Sequence, residues 1–218
     1  CSGFLFGLEN CSALIESGRY KKIILVAAEK MSAITNYEDR TTCPLFGDGA
    51  AAVLLEPTTD DLGVIDSFLR VDGLGQSHLH QKAGGSERPA SIETVTNREH
   101  FVYQEGPAVF KHAVSDMSAV TEGIMKRNHL TAADLSWFVP HQANMRIIEA
   151  VGKRIDLPKE KILINIENFG NTSAASVPLC LWDFESRLRK GDNIILAAFG
   201  GGFSWGSVYL KWGYDAVK

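Results

Sequence analysis

Lys21–Glu29 reads KKIILVAAE and Asp192–Gly200 reads DNIILAAFG, and this near-repeat decides the fold. Each stretch is a continuous apolar run of strand length, the pattern of a strand buried on both faces of a layered α/β protein. Laid over one another they set an offset of 171 residues, and at that offset the helical stretch opening CSGF at Cys1 falls on the one opening TSAA at Thr172 without a gap. Downstream, FGDGAAAVLLE from Phe46 matches FGGGFSWGSVYLKW from Phe199: in both, Phe-Gly-x-Gly leads into a strand. The chain thus reads as two copies of one helix–strand–strand unit. If a pseudo-twofold axis relates them, two helix starts, one carrying Cys1 and the other Asn171 and Thr172, converge on one point.

The rest of the chain fits between these anchors. Phe4, Leu5, Leu8, Ala13, Leu14 and Ile15 predict a helix over 2–17, stopped at Gly18. KKIILVAAE and AAAVLLE read as buried strands, NYEDRTTCPLF as a loop, GDG as a turn and GVIDSFLRVDG as a further strand. Residues 72–91 hold many glycines and polar residues without periodicity, a surface excursion over or beside a site. Val109, Ala113, Met117, Val120 and Ile124 predict a helix over 106–127. Then follow a capped turn TAADL, strand SWFVP, helix QANMRIIEAVGKRI, strand KILINIE, helix TSAASVPLCLWDFESRLRK and two final strands. Strands alternating with helices give an α/β fold divided into a first half at 1–72, an excursion and connection at 73–105, and a second half at 106–218.

Composition narrows the function classes. A chain of 218 residues with 45% apolar and 22% charged residues is an ordinary globular one, and its net charge of −4 gives no general attraction to nucleic acid or anionic lipid. No apolar run approaches the length of a membrane span. Cys1, Cys11, Cys43 and Cys180 form no CxxC pair and no metal-like spacing with the six histidines, which favours free thiols in a reducing, cytoplasmic setting and no metal.

Three side chains bear chemistry. Cys1 stands at a helix start, where unpaired N–H groups favour thiolate over thiol. It reads as a nucleophile or, equally on local grounds, as a small buried residue, which is the reading for Cys11, Cys43 and Cys180. His141 in WFVPHQAN follows an apolar strand that Pro140 ends, where α/β folds place reactive groups, with Asn144 within one helical turn. The other five histidines read as surface or core residues. Asn171 in NFGNTSAAS follows Gly170 and precedes small residues, so it is either a helix N-cap or a carboxamide that joins His141 in donating to one oxygen.

CSGF, FGDGAAAVLLE, VPHQANMRII, GNTSAASVP and AFGGGFSWGS, in that order along the whole chain, closely resemble β-ketoacyl-acyl carrier protein synthase III, the initiating condensing enzyme of type II fatty acid synthesis. The resemblance implies a thiolase-like fold, layered αβαβα with internal duplication, and an acyltransferase that needs no cofactor, the coenzyme A thioester being a substrate. It implies that Cys1 takes an acyl group from acyl-coenzyme A, its oxyanion held by the N–H groups of Cys1 and Gly201. His141 and Asn171 would then polarise the thioester of malonyl-acyl carrier protein as carbon dioxide leaves, and the enolate would attack the acyl-cysteine. Phe199 matches a lining position; Arg40, Gly106, Phe110, Asn144 and Ile147 match positions along the coenzyme A channel. Arg146 matches the carrier-docking arginine, and Arg146, Lys153 and Arg154, at i, i+7 and i+8, lie on one helix face. A homodimer is a further expectation.

The family has a long segment before the nucleophile, and this sequence opens at the nucleophile. The expectation is that the first half is incomplete here and needs that segment. Two rival readings remain: an N-terminal-nucleophile hydrolase using the α-amine of Cys1 as its base, and an inactive fragment. The preferred primer, acetyl or a short or branched acyl group, is set by pocket shape, not by these motifs.

Overall fold

The computed structural model describes residues 1–216. Its helices are α1 (Gly3–Glu16), α2 (Ile92–Thr96), α3 (Gly106–Arg127), α4 (Met145–Arg154), α5 (Ile166–Phe169) and α6 (Ser176–Asp183). Its strands are β1 (Ile23–Lys30), β2 (Asp48–Leu55), β3 (Gly63–Val71), β4 (Leu79–Gln81), β5 (Val102–Gln104), β6 (Trp137–Pro140), β7 (Asn193–Gly200) and β8 (Ser204–Lys211).

The main sheet runs β3-β8-β7-β6, with β6 and β7 parallel and the other pairs antiparallel. β7 is buried on both faces. Ile195, Ala197 and Phe199 point into a core shared with α3 and α4, while Ile194, Leu196 and Ala198 point into a second core shared with α1 and α6. Beyond α1 and α6 lies the antiparallel pair β1-β2, whose inward residues Leu25, Ala27, Val53 and Leu55 close the second core. The layers are therefore helices, sheet, helices, sheet: four of the five layers of an αβαβα arrangement among the described residues.

The echo holds in three dimensions. α1-β1-β2 and the helical turn at Ser173–Ala175 with α6-β7-β8 are the same unit, each ending in an antiparallel strand pair. The two α starts pack closely because Gly3 faces Ala174: a Cβ on Gly3 would stand 3.5 Å from that of Ala174.

α3 matches its predicted span, with Pro107 in its first turn and Lys126 and Arg127 complementing the C-terminal dipole. Among the described residues β1 and β2 are buried on one face; Ile24 is 69% exposed, and Val26 and Leu54 are each 58% exposed. Elsewhere the structure corrects the reading. Asp48 and Gly49, read as a turn, already belong to β2. KILINIE is not a strand: it makes a single parallel bridge, Phe138 with Ile162, between a 3-10 turn at Lys159–Lys161 and α5. The helix expected from Gln142 begins at Met145, because Asn144 caps it. The helix expected over 172–190 is α6 flanked by 3-10 turns. β3, placed in the first half by the division at residue 72, pairs with β8 and so serves the second sheet.

Candidate active site

Each copy of the repeat braces the candidate residue of the other. Cys1 precedes Ser2, the N-cap of α1, and Ser2 Oγ lies 2.6 Å from Ser204 Oγ at the start of β8. Gly200 ends β7 directly against Cys1: a Cβ on Gly200 would stand 2.6 Å from the Cys1 nitrogen and 3.0 Å from its Cβ. Only glycine permits that approach.

The reciprocal contact holds Asn171. The Asn171 N–H donates to the Leu45 carbonyl (2.7 Å) and the Gly47 N–H donates to the Asn171 carbonyl (3.0 Å), an isolated parallel bridge centred on Phe46. A Cβ on Gly47 would stand 2.0 Å from the Phe169 carbonyl oxygen, and Gly170 adopts φ 68°, so the bridge requires both glycines. Phe-Gly of the first copy thus fixes the asparagine, and Phe-Gly of the second backs the cysteine. Asn171 Oδ1 accepts from the Ser173 N–H at 2.9 Å, which occupies the carbonyl end of the carboxamide and leaves its NH2 group for the cavity. Ser173 itself sits in the left-handed region at φ 51°, local strain of about 1 kcal/mol or more held at the site.

His141 follows β6, its N–H donating to the Ala197 carbonyl at 2.7 Å. The residue is 1% exposed. Its Nδ1 lies 2.6 Å from Ser176 Oγ, which also accepts from the Gln142 N–H at 3.2 Å. Burial pushes the imidazole pKa down to about 3, so His141 is neutral at physiological pH. Gln142 donates to the carbonyls of Pro140 (2.8 Å) and Leu163 (3.3 Å). Its Oε1 accepts from the N–H groups of Asn165 (3.0 Å) and Ile166 (3.2 Å). That buried side chain ties the histidine segment to the one leading through α5 to Asn171.

Cys1, His141 and Asn171 border one cavity of about 330 Å³, together with Phe199, Gly201, Asn144 and Ile147. Phe199 is held against Phe203, ring centres 4.7 Å apart. Asn144 is also the N-cap of α4, its Oδ1 accepting from the Ile147 N–H at 2.9 Å. Arg40, Gly106 and Phe110 stand off the cavity wall. The Arg146 guanidinium lies 5.4 Å from the centre of the Phe110 ring. Arg146, Lys153 and Arg154 are all exposed on α4. Cys180 is buried and its thiol pKa is raised by that burial. Among the described residues no three His, Cys, Asp or Glu side chains cluster as a metal would require, and no helix is long and apolar enough to cross a membrane.

Much of the wall was not named from sequence. Leu79, His80 and Gln81 of β4 come from the excursion expected over or beside a site, and Val102 and Gln104 of β5 pair with them. Met31, Ile34, Leu45 and Phe46 come from the loop joining β1 to β2. The available signal was the apolar content of that loop, since apolar side chains in an irregular segment need something to cover. Ser176 and Gln142 gave no signal beyond their neighbourhood in the chain.

Residues 1–73 match the family described as 3-Oxoacyl-[acyl-carrier-protein (ACP)] synthase III, and residues 125–212 match that described as 3-Oxoacyl-[acyl-carrier-protein (ACP)] synthase III C terminal. Beta-ketoacyl-[acyl-carrier-protein] synthase III 2 of Bacteroides thetaiotaomicron is 61% identical over 218 residues, 100% of this chain and 65% of the relative. Beta-ketoacyl-[acyl-carrier-protein] synthase III of Phocaeicola vulgatus is 56% identical over 218 residues, with the same coverage of 100% and 65%. The crystal structure of 3-oxoacyl-(acyl carrier protein) synthase III from Pseudomonas aeruginosa superposes with a TM-score of 0.88 at 36% identity, covering 97% of this chain and 65% of that one. The chain thus spans about 65% of the length of the relatives it matches.

Proposed function

The chain belongs to the 3-oxoacyl-[acyl-carrier-protein] synthase III family, and from that premise we propose that the complete protein is an initiating condensing enzyme that joins an acyl-coenzyme A to malonyl-acyl carrier protein. The observation that carries this reading is the convergence of Cys1, His141 and Asn171 on one cavity.

The reaction divides into two steps. In the first, the Cys1 thiolate attacks the thioester carbonyl, and the C–S bond to coenzyme A breaks as the new C–S bond to Cys1 forms. The oxyanion that develops on the way is met by the Gly201 N–H and that of Cys1, aimed at developing charge. In the second, the malonyl carboxylate leaves as carbon dioxide and its bonding pair becomes an enolate. The neutral imidazole of His141 and the NH2 group of Asn171 each donate to that enolate oxygen. The enolate carbon then attacks the acyl-cysteine, a C–C bond forms, and the Cys1 thiolate departs. Decarboxylation supplies the driving force and the N–H donors supply the charge stabilisation, so no metal or redox group has a step to perform.

The exposed Arg146, Lys153 and Arg154 on α4, whose N-cap Asn144 borders the cavity, form the docking face for the acidic carrier protein. Arg40, Gly106 and Phe110 belong to the path of the coenzyme A moiety outside the cavity. A homodimeric, cytoplasmic enzyme completes the reading. The hydrolase alternative is not favoured, because the chain leaving Cys1 is helical, whereas that mechanism wants a strand.

The test is Cys1→Ser in the complete protein, incubated with radiolabelled acyl-coenzyme A. The wild type is expected to carry label on Cys1 and the variant none. Label retained by the variant overturns the proposal.

A further inference from the structure

Resting on the reading above, we infer that Ser176 is the positioning residue that fixes His141 as its Nε2–H tautomer, turning the single imidazole proton toward the cavity. A neutral imidazole carries one N–H, and only the nitrogen that bears it can donate to an enolate. Two hydrogen bonds decide which nitrogen that is. The Gln142 N–H points at Ser176 Oγ at 3.2 Å, so the hydroxyl oxygen is already an acceptor. The hydroxyl proton must therefore go elsewhere, and among the described residues the one other hydrogen-bond partner of Ser176 Oγ is His141 Nδ1, at 2.6 Å. Ser176 is buried, and a buried hydroxyl proton without an acceptor is costly. Nδ1 thus accepts, and the proton resides on Nε2, across the ring from Ser176.

The same short segment treats Asn171 alike: the Ser173 N–H occupies Oδ1. Both side chains that face the cavity have their accepting end filled from residues 173–176 and their donating end left for the substrate. The geometry leaves them no good way to act as bases.

Two measurements test this in the complete protein. Nitrogen-15 NMR of histidine-labelled wild type is expected to show His141 with a protonated Nε2 and a bare Nδ1; a protonated Nδ1 overturns the inference without any variant. Ser176→Ala is then expected to give a mixture of tautomers and to lower kcat for malonyl-acyl carrier protein decarboxylation about a hundredfold. KM and the rate of Cys1 acylation should stay within about twofold. Ser176→Cys, which restores a weak donor, should recover part of the loss. A Ser176→Ala protein with an unchanged tautomer and full decarboxylation sinks the inference alone, whereas a wild type that neither acylates Cys1 nor decarboxylates sinks the reading beneath it.

Discussion

IILVAA of β1 and IILAAF of β7 are nearly the same strand, yet β7 is buried along almost its whole length and β1 shows Ile24 and Val26 to solvent. The difference lies in the neighbours. β7 sits inside a four-stranded sheet with α3 and α4 on one face and α1 and α6 on the other; among the described residues, β1 and β2 have helices on one face only. Strand chemistry is thus written locally, while burial is set by layers that pack from far along the chain. The connections differ as well. β7 and β8 are joined by a tight turn at 201–203, whereas 31–47 between β1 and β2 is a long loop that walls the cavity and braces Asn171.

The largest effect expected from this contrast is on stability. Ile195→Ala should cost about 4 kcal/mol, through lost transfer energy and a cavity the sheet cannot collapse. Ile24→Ala in this chain should cost less than about 0.5 kcal/mol. Urea unfolding of the two variants measures the gap directly; equal losses would mean that the outer face of β1-β2 is covered in solution.

Next come the crossed braces. Gly47→Ala drives a Cβ into the Phe169 carbonyl and should cost about 3 kcal/mol. If it folds, it should abolish decarboxylation while sparing Cys1 acylation. Gly200→Ala should do the reverse, since its Cβ meets Cys1. Separate assays of the two half-reactions distinguish them, and identical profiles would break the assignment of one brace to each residue.

Burial acts on charge in the second half too. The folded pKa of His141, about 3, lies below its ordinary 6.5, so the unfolded chain binds the proton that the folded chain refuses. Stability is therefore full above about pH 6.5, falls as pH drops through that window, and stops falling near pH 3. The loss by pH 5 should be about 2 kcal/mol, and His141→Gln should remove that slope from denaturation curves taken across the range.

The smallest effect is a control that neither copy should feel. Arg146→Glu on the exposed face of α4 should raise KM for the acyl carrier protein about tenfold, equivalent to about 1.4 kcal/mol, with added salt narrowing the difference. Thermal stability should stay unchanged.

The contrast also explains what the sequence could tell. α3 was legible because the apolar period of Val109, Ala113, Met117, Val120 and Ile124 is a local signal. The meeting of Cys1 with Asn171 was legible because the repeat pairs their helix starts. The open face of β1-β2 is no test of the two-sided burial read from IILVAA, because the chain spans about 65% of the length of its relatives and an aliphatic run reads alike whether one face or two find cover. KILINIE failed for a related reason: its composition suits a strand, but the flanking turn and α5 leave room for one bridge. The partnership of Ser176 with His141 spans 35 positions, and serine near a helix start carries no mark of the ring it will touch.

The brace between Gly200 and Cys1 joins residues far apart in sequence, one in each copy of the repeat. Contacts of such sequence separation carry a large loop-closure entropy, which must be offset by the packing of both copies. Cys1 therefore acquires its place against β7 only when both copies have docked. On the proposed mechanism, a half-folded chain holds an ordinary cysteine beside no histidine, and acylation of Cys1 would itself report that folding is complete.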